Sequence, residues 1–251
     1  MKLQGKKILI TGGGSGIGLE LARRLADANQ VVIAGRDEAK LERARAQMPM
    51  LQTLSLDVTS EEEAQRAIAW ISGELGGLDL LVNNAGILGA YALRSPEAAT
   101  KSVDEVEVNL IGAIRMTRLA IPLLAASPEA GVVFMSSAVV LAAVPGQAVY
   151  AATKAAVHSL ARSLRAELEE DHIRVFEVLP PVVDTDVARN LDVPKISPAV
   201  VADAIVAGLG DDRAEIRIGR IKQLALVARL APRLADRLVQ RALQPRAGGA
   251  G

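Results

Sequence analysis

The 251-residue sequence predicts an α/β domain built on a doubly wound parallel sheet. Three observations lead there. Short apolar runs alternate with helical patterns along the chain, the order that gives parallel strands joined by crossover helices. The first strand runs directly into a glycine-rich turn and a helix, the opening of a βαβ unit. The length suits one domain, and half the residues are hydrophobic, enough for a large core.

Composition narrows the function. Aromatic residues make up only 2%, so the core must be built from Ala, Val, Leu and Ile. Basic and acidic side chains balance at 29 each, which argues against nucleic acid as the main partner. The sequence has no cysteine, excluding disulfides and thiolate metal sites, and His158 and His172 are too few and too separated to suggest a metal centre. The first seven residues lead into an apolar run too short for a signal sequence, and no uncharged stretch is expected to reach transmembrane length. A cytoplasmic location is expected.

Residues 7–11 read as a buried first strand. They enter Gly12-Gly13-Gly14-Ser15-Gly16-Ile17-Gly18 and a helix with Ile17, Leu21 and Leu25 on one face. Glycine lets backbone approach a pyrophosphate closely, and the helix N-terminus then offers free N–H groups and a positive dipole end. Residues 31–34 form the next strand, ending in Gly35-Arg36-Asp37. In a doubly wound sheet this end faces an adenosine ribose, where an acidic side chain accepts the 2′-hydroxyl of NAD. Gly35 takes that place and Arg36 follows, which suits a 2′-phosphate. The other reading leaves Arg36 solvated and Asp37 capping the next helix.

Residues 51–56 make a third strand ending in Asp57-Val58-Thr59, and residues 60–63 match a capping box ahead of a helix with Ala64, Ile68 and Ile71 inward. Residues 78–82 form the fourth strand and end in Asn83-Asn84-Ala85-Gly86, where side-chain amides stabilise the loop backbone. An irregular loop or short helix with Tyr91 and Pro96 follows, then a long helix from Ser102 that contains Asn109. Asparagine inside a helix is more often packing-neutral than functional.

The fifth strand, residues 132–135, delivers Ser136 and Ser137 to its end. A helical pattern begins near Tyr150, so Tyr150 and Lys154 share a face. An ammonium nearby favours phenolate and lowers a tyrosine pKa from its ordinary ~10. With a hydroxyl from Ser137 sharing the substrate oxygen, this makes a proton-transfer site for an alcohol or carbonyl. Alone, such a Tyr–Lys pair is usually surface decoration; the upstream motifs change that reading. Residues 173–179 form the sixth strand, ending in Pro180-Pro181-Val182-Val183-Asp184-Thr185. Ser197-Pro198 opens another helix, and residues 215–218 are the last strand.

From residue 7 to about 218, these motifs together resemble the short-chain dehydrogenase/reductase superfamily. The resemblance implies a Rossmann-type sheet and a nicotinamide cofactor, NADP(H) rather than NAD(H) because the family places an arginine like Arg36 in its NADP-dependent members. It implies phosphate binding by Gly12, Gly14, Ser15, Gly16, Ile17 and Gly18, and adenine contact by Asp57 and Val58. Asn84, Ala85, Gly86 and Pro180 would flank the cofactor, with Val183 and Thr185 orienting the nicotinamide carboxamide. Tyr150 would be the general acid/base and Ser137 would polarise the substrate oxygen. Lys154 would hold the nicotinamide ribose and lower the Tyr150 pKa, and Asn109 would anchor a water in a proton relay. The family's usual Pro-Gly after the sixth strand is Pro180-Pro181 here, which removes an N–H and stiffens the pocket wall. The run 180–185, with Glu107-Val-Asn109, looks most like a bacterial branch named for an operon of lipoteichoic-acid D-alanylation.

The expected activity is therefore NADP-dependent interconversion of a ketone or aldehyde with an alcohol. The alternatives are a non-catalytic cofactor-binding regulator, or an epimerase, for which the segment after Thr185 leaves little room. Leu88, Ala138, Val144 and Val182 would line the pocket with Gln147 as its polar member, so a small, mostly apolar substrate is expected. A homodimer or homotetramer is the expected assembly.

Residues 1–220 read as the NADP-binding domain and 221–251 as a basic amphipathic helical segment ending in a flexible tail. In it, Arg229, Arg233, Arg237 and Arg241 run beside Leu226, Leu230, Leu234 and Leu238. Pro232 should divide it into two helices. The leucines either pack on the domain or a partner subunit, or attach the protein peripherally to anionic lipid.

Overall fold

The computed structural model describes residues 1–242; the tail at 243–251 lies outside the described residues. Seven strands form one parallel sheet: β1 (Lys7–Thr11), β2 (Gln30–Gly35), β3 (Gln52–Ser55), β4 (Leu80–Asn83), β5 (Ala130–Met135), β6 (Ile173–Leu179) and β7 (Glu215–Arg217). Their order is β3-β2-β1-β4-β5-β6-β7. Ile8 pairs with Val31 on one side and Leu80 on the other, so the winding reverses at β1 and β4. A crevice opens beyond the carboxyl ends of those two strands, where ligands bind in open α/β sheets.

Both faces of the sheet are covered, which is why the central strands β1, β2, β4 and β5 read as largely apolar runs. Ile8, Ile10 and Ile33 pack with α1 (Gly16–Leu25), α2 (Glu38–Gln47) and α7 (Pro198–Gly210). Leu9, Val32 and Phe134 pack with α3 (Glu61–Leu75), α5 (Gly112–Ala125) and α6 (Ala148–Glu167). Successive strand residues thus enter opposite layers.

Helix starts follow local chemistry. The Asp37 side chain caps α2 by accepting from the Lys40 amide at 3.0 Å, and Ser60 caps α3 by accepting from the Glu63 amide at 3.2 Å. The capping box is only half formed. Glu63 accepts from the Asp57 amide at 2.7 Å instead of returning to Ser60, and so holds the turn after β3. Ser197 caps α7, with Pro198 as its first residue.

The helix expected from Ser102 starts earlier, as α4 (Ala98–Val106), and passes through a π-helical turn, Glu107–Ile111, into α5. The resulting stretch, Ala98–Ala125, is long and apolar enough by length and composition to cross a membrane. Its residues Met116, Ala120 and Leu124 are instead buried in the sheet-facing core. Contrary to expectation, one uncharged stretch does reach transmembrane length, residues 130–153, but it is divided among β5, a turn at Pro145-Gly146 and the start of α6. The C-terminal segment forms α8 (Ile221–Leu230) and α9 (Pro232–Ala242), broken before Pro232 as its ring requires.

Candidate active site

The crevice begins at the glycine turn. Gly12 and Gly16 adopt φ of +64° and +55°, which favours glycine. Side chains are also excluded by packing: a Cβ at Gly13 would lie 2.6 Å from the Ile33 side chain, and one at Gly18 would lie 2.6 Å from the Asn84 amide. The Asn84 amide donates to Thr11 O at 2.9 Å and Gly12 O at 3.0 Å. The Thr11 hydroxyl accepts from the Asn84 and Ala85 amides, both at 3.1 Å. Asn84 therefore acts on loop backbone, as its residue type suggested. Ser15 precedes α1 without accepting from it, so the side chain leaves the first-turn amides available to an anion.

At the ends of β2 and β3, Arg36 is 60% exposed and lies 3.6 Å from Asp57. Burial pushes the Asp57 carboxyl up, but the Thr59 amide and hydroxyl and the Arg36 guanidinium together hold it below its ordinary value. A Cβ at Gly35 would meet no atom within 4 Å, so the ribose position has room for a larger group. Lys40, one turn into α2, reaches across the crevice to Asp186 at 2.7 Å.

The opposite end holds the expected proton-transfer set. β5 and β6 pair along their length, and the Ser136 amide continues that pairing to Val178 O at 2.9 Å. Ser137 is buried, and the Ala138 amide donates to Pro180 O at 3.0 Å, fixing the loop that carries the serine. On α6, Lys154 is buried and donates to Met135 O at 2.8 Å, with its ammonium 5.7 Å from the Tyr150 ring centroid. Tyr150 is half-buried in the crevice wall.

The electrostatics differ from the sequence expectation in one respect. Burial pushes the Tyr150 phenol up to about 12, against the Ser137 hydroxyl, which pulls it down. Burial also brings the Lys154 ammonium down to about 8. The expected lowering of the Tyr150 pKa is therefore not seen in the protein by itself, because desolvation, with the Glu105 charge adding to it, outweighs the Ser137 hydrogen bond.

Asn109 lies in the π turn, 2% exposed, behind Gly86 rather than in the crevice wall. It accepts from the Ile87 amide at 2.8 Å and donates to Ile87 O at 2.9 Å and Thr153 Oγ1 at 3.2 Å. A Cβ at Gly86 would come within 3.2 Å of Asn109 Oδ1 and 3.5 Å of Lys154 Nζ, so the three residues form one cluster.

Between the two ends lies a cleft of about 540 Å³. Gly12, Ser15, Gly16, Ile17, Asn84, Ala85, Gly86, Ser137, Tyr150, Lys154, Pro180, Val183 and Thr185 all line it. So do the expected pocket residues Leu88, Ala138, Val144, Gln147 and Val182. Gly14, Gly18, Arg36, Asp57 and Val58 stand outside its lining. Gly14 and Gly18 serve the packing of the turn, against Lys40 and Asn84 respectively.

The model of the short chain dehydrogenase family matches residues 6–195. The chain belongs to this family. An uncharacterized oxidoreductase of Bacillus subtilis, DltE, is 35% identical over 232 residues, covering 89% of this chain and 92% of that protein. An uncharacterized oxidoreductase of Staphylococcus aureus is 30% identical over 217 residues, 82% of this chain and 92% of the relative. Among solved structures, a short chain dehydrogenase from Burkholderia cenocepacia in complex with NADP superposes with a TM-score of 0.83 at 29% identity, covering 98% of this chain and 100% of the other. A short-chain dehydrogenase from Streptomyces avermitilis also gives a TM-score of 0.83, at 26% identity over 92% of this chain and 95% of that one. The chain is thus an oxidoreductase of the short chain dehydrogenase family, near the DltE branch.

Several site residues of this short chain dehydrogenase escape sequence reading. Glu105, on α4, is 1% exposed and accepts from the Gly89 amide at 2.5 Å and the Tyr91 hydroxyl at 2.7 Å. It ties down the loop after β4, and the Tyr91 amide in turn donates to Gly146 O at 3.0 Å, linking that loop to the Tyr150 segment. Burial, then the bond to Glu105, pushes the Tyr91 phenol up to about 12. Val187, Leu191 and Val193 close the cleft from the segment after β6, and Ile221, Leu224, Val239 and Ala242 close it from α8 and α9. The extension set apart at residue 221 is therefore part of the cleft wall. Asp236 accepts from the Ala143 amide at 2.8 Å and Gln240 donates to Ala143 O at 3.3 Å, docking α9 on the loop between Ser137 and Tyr150.

Proposed function

We propose that the protein is an NADP(H)-dependent oxidoreductase interconverting a ketone or aldehyde with an alcohol, with Tyr150 as general acid/base. The observation that carries this reading is the convergence of Ser137, Tyr150 and Lys154 on one cleft whose other end is an uncapped helix start behind a glycine turn. The residues fit a dinucleotide. The α1 amides at Gly16 and Ile17 would hold the pyrophosphate, Lys154 the nicotinamide ribose, and Thr185 and Val183 the carboxamide. Room at Gly35 and the weakly paired Arg36 suit a 2′-phosphate, and Lys40 adds a second cation on that side. The Burkholderia relative in complex with NADP supports the same choice.

When bound, the nicotinamide supplies the hydride. The chain supplies the proton. With its pKa raised to about 12, Tyr150 holds its phenolic proton at neutral pH and can give it to the carbonyl oxygen during reduction. Ser137 donates to the same oxygen and fixes its position. The Lys154 charge beside the ring then stabilises the phenolate left behind, which takes a proton back from solvent or, in the oxidative direction, from the alcohol. Leu88, Val144 and Val182 favour an uncharged, mostly apolar substrate. Incubation with NADPH and a panel of ketones and aldehydes, followed at the nicotinamide absorbance, tests the proposal. Substrate-dependent oxidation of NADPH is expected. Its absence across aromatic, aliphatic and cyclic carbonyls would overturn the reading.

A further inference from the structure

The helices that close the cleft present a second face outward. On α8 and α9, the inner residues Ile221, Leu224, Val239 and Ala242 line the cleft. On the other side, Leu226, Leu230, Leu234 and Leu238 are exposed by 59%, 74%, 48% and 45%. Arg229, Arg233, Arg237 and Arg241 are exposed with them and have no ion-pair partner among the described residues. Asp236 is the one acidic residue of the two helices, and it is turned inward to the Ala143 amide. The outer face is thus apolar and basic with no negative charge, in a protein whose basic and acidic residues balance only when these helices are included.

We propose that this face docks the protein on an anionic lipid bilayer. Leucines at four-residue spacing enter the acyl boundary, while flanking arginines extend their apolar stems along it and place their guanidinium groups among lipid phosphates. At ten and eleven residues the helices are about 15 Å long each, far short of a span, so they lie in the interface plane. A second copy of the chain is a poorer occupant. A two-fold interface through this patch would set the arginine row against itself, since the same surface faces itself across the axis. Anionic lipid complements both the leucines and the arginines. The docking does not depend on the reductase reading, although it would turn the cleft wall formed by the same helices toward the membrane.

Because Ile221, Leu224 and Val239 belong to the cleft, the test substitutes the outer face of the full-length chain rather than deleting it. Wild type, Leu234→Gln/Leu238→Gln and Arg233→Gln/Arg237→Gln are sedimented with phosphatidylcholine vesicles containing rising fractions of phosphatidylglycerol. Far-UV circular dichroism melts check that each variant is folded. Binding of the wild type should rise with phosphatidylglycerol content and fall with salt. Loss of two arginines should lower its partition coefficient roughly 30-fold at low salt, and the leucine pair should lower it at every lipid composition. Binding that ignores phosphatidylglycerol content, or equal sedimentation of wild type and both folded variants, overturns the proposal. So does failure of the wild type to bind at all together with a self-association, seen by sedimentation velocity, that Leu234→Gln/Leu238→Gln abolishes; that result assigns the face to a second copy.

Discussion

Lys154 should cost the cofactor-free protein stability, and replacing it should show how much. The residue is 5% exposed, and burial lowers the pKa of its ammonium from 10.5 to about 8. A depression of that size corresponds to about 3 kcal/mol against the charged form in the folded state. Lys154→Met removes this penalty and keeps the apolar stem. It also removes the donor to Met135 O, leaving a buried carbonyl short of a partner at a cost of about 1–2 kcal/mol. The net expectation at pH 7 is a gain of about 1–2 kcal/mol, measured by urea unfolding without cofactor. The pH dependence separates the two contributions. Between about 8 and 10.5 the unfolded chain holds the Lys154 proton and the folded protein does not, so wild-type stability rises with pH across that window. The penalty is complete below pH 8 and gone above pH 10.5. The advantage of Lys154→Met should therefore shrink from pH 8 upward and reverse near pH 10, where only the lost hydrogen bond remains. Tyr91 and Tyr150 titrate in both proteins and largely cancel in the difference. A variant less stable than wild type at pH 7, with a gap that does not change up to pH 10, would refute the reasoning.

Tyr150→Phe should lower the rate of carbonyl reduction by about 10²–10⁴-fold while NADP affinity, measured by fluorescence titration, stays within a few-fold, because a proton donor is lost but little surface. Arg36→Ala should weaken NADP by about tenfold and leave NAD nearly unchanged in the same titration; the side chain is too exposed for the larger effects of buried phosphate contacts. Glu105→Gln should reduce stability by about 1–2 kcal/mol in urea unfolding, since the amide has one acceptor oxygen where the two carboxylate oxygens accept separately from the Gly89 amide and the Tyr91 hydroxyl.

The parts of this chain that are legible from sequence are those whose constraints are local. A strand buried on both faces is predominantly apolar, so β1, β2, β4 and β5 stand out, and β6 does so despite Arg174 and the buried Glu177. A turn that packs backbone against Ile33 and Asn84 must be glycine. Asp37, Ser60 and Ser197 cap the helices their positions announce. Glu105 is different. Among Asp104, Glu105 and Glu107 it reads as one of three solvated charges, and only the folded-back loop carrying Gly89 and Tyr91 buries it. Asn109 is similar: its helix-interior position says little, and its meaning comes from Ile87 and Thr153, brought in from elsewhere.

The C-terminal helices show why a regular pattern can point to the wrong face. A row of strict four-residue spacing advances about 40° around an α-helix at each step, so Leu226 and Leu230, or Leu234 and Leu238, drift away from any straight neighbour. The residues that meet the cleft are spaced by three, Ile221 with Leu224 and Val239 with Ala242, and the buried Ala235 lies four before Val239, so each set holds one line along its axis. These helices lie beyond residues 6–195, the part matched to the family. The proposed reacting groups, by contrast, stand just after the end of β5 and on α6, beside strands whose pairing is fixed. The cleft thus joins two kinds of wall. One is set by strand register and carries the groups proposed to transfer the proton. The other, from Val187 to Val193 and from Ile221 to Ala242, is set by packing together with the Asp236 and Gln240 bonds to Ala143, and under the proposed function it would select the substrate.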